Sequence, residues 1–97
     1  MSKILYFITS EDKTGIELAL ENKGDEISLV LLQNAVYAAA KEGSGISEAL
    51  QQGKSIYASK KDVELRGIQE LLTEGIEIVE YGEIIDIVFN QDTIINF

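Results

Sequence analysis

The hydrophobic pattern of the chain consists of short runs of consecutive apolar residues separated by polar, helix-favouring stretches. Ile4–Ile8 and Leu29–Leu32 are apolar at every position. Successive side chains of a strand point to opposite faces, so a strand with this pattern is buried on both faces. The two runs therefore predict two interior strands of a parallel sheet.

The stretch Ile27–Ala40 passes directly from strand to helix. Gln33 and Asn34 interrupt the apolar run, and Ala35–Ala40 is rich in alanine, which favours a helix. A buried strand leading into a helix is the repeating unit of a parallel α/β sheet, and such sheets bind ligands where their strands end. The turn at Gln33 and Asn34 is therefore the first candidate binding site.

The rest of the chain continues this alternation. We predict a first helix capped at Thr9 or Ser10, a third strand at 54–58, and a helix capped by Ser59 and ended by Gly67. The partly alternating segment 76–81 predicts an edge strand. Glu83 is predicted to open a last helix, and 93–97 forms either a fifth strand or a docked tail. The inward stripe of the last helix is predicted to be Ile84, Ile85, Val88 and Phe89.

The order βαβαβαβα plus a tail predicts an α/β fold. We expect a three-layer α/β/α sandwich with a mostly parallel sheet of four or five strands, in a single domain over residues 1–97.

Composition narrows the possible chemistry. The chain has no cysteine, no histidine and no proline. It therefore lacks a thiolate nucleophile, thiolate zinc ligands and the usual neutral-pH proton shuttle. We predict no catalytic residues, no metal site and no cofactor, and an enzyme that relies on carboxylates alone is the least favoured class.

The formal net charge of −9 bears on the partners. An acidic surface repels nucleic acid phosphates and anionic membranes, so we expect no direct nucleic acid binding and no membrane association. The charge fits either an ordinary soluble exterior or complementarity to a basic partner subunit. No apolar run approaches the roughly 20 residues of a membrane span, and the start has no signal-peptide layout, so we expect a cytoplasmic protein.

Three residues around the turn are the candidate partner- or ligand-binding residues: Gln33, Asn34 and Tyr37. Asn34 suits a helix N-cap as well as a ligand contact, and Gln33 can satisfy local backbone groups or a partner. Tyr37 stands among alanines, which fits either an interface centre or core packing. Tyr6, Tyr57 and Tyr81 are expected in the core.

Three other features have simpler explanations. Gly43-Ser44-Gly45 follows a helix and is expected to end it, because a phosphate loop would follow a strand. Glu11 and Asp12 are expected to cap the first helix; a receiver-like magnesium site would also need an Asp at the end of strand three, where this chain has Ser59-Lys60-Lys61. Asp62 and Arg66 are four residues apart, which favours a solvated pair on a helix surface over recognition of a partner charge.

Three segments resemble the DsrH/TusB family. The first is Leu31–Ala39, a hydrophobic strand followed by Gln-Asn-Ala, an aliphatic residue, an aromatic and paired alanines. The second is Ile56-Tyr57-Ala58 with the later Asp62–Ile68. The third is Ile78–Tyr81 followed by Ile84–Ile87. Together they cover most of the chain after residue 27 and occur in the family's order.

This resemblance implies a DsrEFH-like fold and a role in sulfur relay, either in tRNA 2-thiouridine synthesis or in sulfur oxidation. In that group the sulfur travels as a cysteine persulfide, generally on a DsrE/TusD-type subunit. Some DsrH members carry a cysteine in the first helix, where this chain has none. The implied role is therefore a non-catalytic scaffold or docking subunit, with DsrE/DsrF (TusD/TusC)-like subunits or further copies of itself as partners. The alternative is a small homo-oligomeric, ligand-binding regulatory domain that uses the turn between strand two and helix two.

Overall fold

The computed structural model describes residues 2–97 and contains one five-stranded sheet in which every paired strand is parallel. The spatial order is β4-β3-β2-β1-β5. The strands are β1 (Lys3–Ile8), β2 (Glu26–Leu31), β3 (Ser55–Ser59), β4 (Glu77–Val79) and β5 (Thr93–Asn96). The predicted α/β fold with a parallel sheet is confirmed.

The apolar pattern correctly placed the strands within the sheet. β1 and β2, the two strands predicted to be buried on both faces, pair with each other in the interior of the sheet. The more polar β4 is an edge strand. Residues 93–97 were predicted to form either a fifth strand or a docked tail. They contain a strand, β5, which pairs with β1. Its pairing continues at Phe97, whose backbone N–H donates to the carbonyl of Phe7 at 2.9 Å.

In the described part of the chain, five helical segments connect the strands: α1 (Thr14–Glu21), a 3₁₀ helix (Gln33–Ala40), α2 (Ile46–Gln51), α3 (Lys60–Leu65) and α4 (Tyr81–Phe89). Among residues 2–97, no helix combines the length and the apolar composition required for a membrane span.

The predicted start of the first helix was wrong. α1 begins at Thr14, and Lys13 occupies the N-cap position without a side-chain hydrogen bond. Asp12 instead accepts hydrogen bonds from the Thr14 backbone N–H at 2.9 Å and the Thr14 hydroxyl at 2.6 Å. This local turn competes with the helix and delays its first residue.

The alanine-rich segment is a 3₁₀ helix and not the expected α-helix. Its end residues show the tighter spacing: the Ala35 N–H donates to the Leu32 carbonyl, and the Lys41 N–H to the Ala38 carbonyl. Such i→i+3 bonds give three residues per turn. Val36 and Ala39, three residues apart, are both fully buried.

The sheet separates two apolar clusters. One face packs against α1, the 3₁₀ helix, α2 and α3, through residues such as Ile16, Val36, Ala49 and Val63. The other face, which includes Leu5 of β1 and Val30 of β2, packs against α4 only. The arrangement is three layers, with the second helical layer reduced to one helix.

The predicted inward stripe of the last helix was partly wrong. α4 begins at Tyr81, two residues before Glu83, because Glu80 and Glu83 form a capping box. Ile84 is buried and Ile87 and Val88 pack beside it, as part of the second cluster. Ile85 and Phe89 are exposed instead. Tyr81, expected in the core, is also exposed.

Candidate functional site

The candidate site lies where β2, β3 and β4 end. Gln33 follows β2, α3 follows β3 directly, and Tyr81 opens α4 just after β4. The three strands are neighbours and run parallel, so their carboxyl ends share one edge of the sheet. This is the edge at which open α/β sheets bind ligands.

Arg66, at the end of α3, joins two of these strand ends. Its Nη2 and Nε donate to the Asn34 side-chain oxygen at 2.8 and 3.3 Å. Its Nη1 donates to the Asp62 carbonyl at 3.2 Å and lies 3.6 Å from the Asp62 carboxylate. The turn after β2 is thereby fixed to the helix after β3.

The same guanidinium also covers Tyr37. Its central carbon lies 5.7 Å from the centre of the Tyr37 ring, within the range of a cation–π contact. The side chain of Tyr37 is 39% exposed, so it is not packed in the core. Tyr37 also lines a small surface pocket with Glu11, Lys13 and Lys41.

Asp62 extends these side-chain contacts to Tyr81, just after β4. Its backbone N–H donates to the Ser59 hydroxyl, as the predicted cap requires, at a long 3.4 Å. Its carboxylate accepts from the Tyr81 hydroxyl, also at 3.4 Å. The prediction of a solvated Asp62–Arg66 pair was wrong, because Asp62 is buried and Arg66 is largely covered.

The turn itself differs from the expected cap. Leu32 occupies the N-cap position of the 3₁₀ helix, and Asn34 makes no cap there because its side-chain oxygen is bound to Arg66. Gln33 is exposed and adopts a positive φ of 52°, the only such non-glycine residue within 2–97. A side chain in this region costs about 1–3 kcal/mol, and such strain tends to occur at functional sites.

Local structure accounts for Ser44 of the Gly43-Ser44-Gly45 loop and for Asp12 of the acidic pair before α1. The Ser44 hydroxyl donates to the Ala38 carbonyl at 2.7 Å and accepts weakly from the Ile46 N–H, so it closes the loop between two helices. Hydrogen bonds from Thr14 lower the pKa of the Asp12 carboxyl, because they stabilise its ionised form.

The structure thus brings Gln33, Asn34 and Tyr37 together on one short element, and all three are exposed. Sequence reasoning missed Arg66, which contacts Asn34 and Tyr37, and Tyr81, which joins the site through Asp62. Placing them needs the strand order, because they belong to α3 and α4, which follow β3 and β4, and the carboxyl ends of those strands share one edge with β2. The assembled groups offer amide, phenol and guanidinium contacts, which suit binding to another surface.

Residues 5–94 match the family model described as DsrH like protein. The chain belongs to the DsrH-like family. It is similar to the TusB proteins of Pectobacterium carotovorum (35% identical) and Pectobacterium parmentieri (32%), each over 66 residues that cover 68% of this chain and 67% of the relative. The TusB protein of Photorhabdus laumondii is 25% identical over 65 residues, 67% of this chain and 66% of the relative. The match thus spans about two thirds of these relatives.

Solved structures share the fold of the DsrH-like chain. The YchN protein from E. coli superposes with a TM-score of 0.82 at 25% identity, over the full length of both chains. A conserved protein of unknown function from Bacteroides thetaiotaomicron gives 0.83 at 23% identity, covering 99% of this chain and 95% of the other. Membership in the DsrH-like family supports a role as a subunit of a sulfur relay.

Proposed function

We propose that this DsrH-like chain is a non-catalytic docking subunit of a sulfur-relay complex. Its partner is a DsrE/TusD-like subunit that carries the persulfide, with a DsrF/TusC-like subunit as the third component. The observation that carries the proposal is the absence of cysteine from a chain of this family. Sulfane sulfur is held on a thiolate, and no other side chain can replace it.

The exposed residues around the β2 turn supply the proposed contact surface. Tyr37 is an aromatic side chain held in place by Arg66, so little conformational entropy is lost when a partner covers it. Gln33 and Asn34 add exposed amide groups on the same short helix, and Arg66 holds the Asn34 side chain. The contact role of these three residues is part of the proposal.

Co-expression with the DsrE-like and DsrF-like proteins of the same genome tests this function. We expect a stable complex by size-exclusion chromatography with light scattering, and weaker association for Tyr37→Ala. Leu18→Ala is the matched control, since Leu18 is also exposed but lies on α1. A complex that tolerates Tyr37→Ala as well as Leu18→Ala would remove the turn from the interface.

A sulfur-loading experiment tests the division of labour. After incubation with a persulfide donor, intact-mass spectrometry should show added sulfur on the DsrE-like subunit and none on this chain. Stable loading of this chain alone would contradict the docking role, and so would a failure to associate with either partner.

A further inference from the structure

The outer side of α4 carries a stripe of large apolar side chains. Tyr81, Ile85 and Phe89 are spaced four residues apart and are 46%, 55% and 82% exposed. Residues at this spacing lie on one side of a helix. We call these three residues the α4 stripe. An exposed set of this kind marks an interaction surface more often than a scattered single residue does.

The sheet face beneath α4 has little other cover. Parallel sheets are normally covered by helices on both faces, but here the second apolar cluster contains residues of one helix only. Ile94 of β5 pairs with Leu5 in the register and therefore points to this same face, where it is exposed. The α4 side of the molecule thus combines a single covering helix with four exposed large apolar side chains, Ile94 and the three residues of the α4 stripe.

The charges around the α4 stripe indicate what kind of surface it fits. Residues 67–97 contain seven acidic residues and no lysine or arginine. Three of these acids, Glu80, Glu83 and Asp86, lie on α4 or at its start. Two cations lie at the Tyr81 end of the stripe: Lys61, whose Nζ is 5.9 Å from the centre of the Tyr81 ring, and Lys60, which lines a shallow pocket with Lys61 and Tyr81. A second copy docked through the same face would set acids against acids, which disfavours self-association.

We propose that the α4 stripe is the docking surface for a partner protein of a defined kind. That partner presents apolar side chains surrounded by lysine and arginine. Apolar burial supplies the affinity, and the opposite charges supply orientation and exclude a second copy of this chain. This surface adjoins the site at the turn after β2 through Tyr81, whose hydroxyl donates to Asp62, but it does not depend on the sulfur-relay role.

A designed helical peptide serves as the probe, with a leucine stripe flanked by lysines and a fluorescent label. We expect the full chain to bind it by fluorescence anisotropy, and Ile85→Ser combined with Phe89→Ser to weaken binding about tenfold or more. That double variant keeps the net charge of −9, so attraction by charge alone would leave the affinity unchanged. Leu18→Ser on α1 is the control and should bind like the unaltered chain.

Three further measurements complete the test. A peptide with glutamates in place of the lysines should not bind. On titration of the lysine peptide, the NMR signals of Ile85 and Phe89 in the unaltered chain should shift most, which checks the site without any variant. Shifts spread over the whole acidic surface, or equal binding by the double variant, would overturn the proposal. Self-association of the unaltered chain in sedimentation experiments would also overturn the proposal if the double variant abolishes it.

Discussion

The guanidinium of Arg66 uses all three of its nitrogens on neighbours, two of them on one oxygen of Asn34. The guanidinium is planar and directs its N–H donors outwards in its plane, which permits this. The face of the same group covers the Tyr37 ring. Lysine carries the same charge on a single nitrogen and can reproduce neither feature. The position therefore depends on the shape of the cation as well as on its charge.

Arg66→Lys is expected to lower the free energy of unfolding by about 1–2 kcal/mol, because the hydrogen bonds to Asn34 and the contact with Tyr37 are lost together. Urea unfolding measures the difference. Lys60→Ala provides a comparison at an exposed cation of the same helix, where the change should stay within about 0.5 kcal/mol. An Arg66→Lys variant as stable as the original would mean that the shape of the guanidinium contributes little.

Gln33 offers a test of backbone strain. Glycine at this position removes the steric cost of a positive φ. It also increases the conformational entropy of the unfolded chain, which lowers the free energy of unfolding by about 0.5–1 kcal/mol. We expect Gln33→Gly to leave stability unchanged or raise it by up to about 2 kcal/mol. Gln69→Gly, at an exposed residue whose φ is not positive, should instead be destabilising. Equal losses in thermal unfolding would show that Gln33 is not strained.

At the scale of elements, the hydrophobic pattern predicted the positions of strands and helices well. It predicted the first residue and the type of each helix less well. Alanine content indicates a helix after β2, but it does not separate an α-helix from the 3₁₀ form. That choice follows from the left-handed Gln33 and from the tight packing of Val36 and Ala39, which are tertiary features. Asp12 likewise displaced the start of α1 through a local turn that competes with the predicted cap.

Adjacent isoleucines of α4 provide the test of its orientation. Ile84→Ala should cost about 2–4 kcal/mol, because it leaves a cavity between the helix and the sheet. Ile85→Ala should change stability by less than about 1 kcal/mol, since that side chain is mostly exposed and alanine favours a helix. Similar losses in denaturant unfolding would place Ile85 in the core after all.

At the scale of the whole molecule, the alternation of strands and helices was sufficient to predict the parallel sheet, but the strand order was not accessible. β5 lies beside β1 because α4 connects one edge of the sheet to the other, a path that no local pattern encodes. The candidate turn was located because parallel strands end at a common edge. Arg66, which contacts the turn, and Tyr81, which joins the site through Asp62, were missed, because that inference needs the order of the strands.

The uneven charge of the chain affects the stability of the whole fold. Repulsion among the acids of residues 67–97 is long-range and screened by salt, with a Debye length near 10 Å at about 0.1 M. Raising sodium chloride from about 0.05 to 0.5 M should therefore raise the unfolding temperature by about 4–8 °C, which corresponds to roughly 1 kcal/mol for a domain of this size. A variant with Glu74→Gln, Glu77→Gln and Asp86→Asn removes three exposed acids and should respond less to salt. If that variant shows the same salt response as the original, general salt effects on apolar burial, and not the acidic third of the chain, would account for the shift.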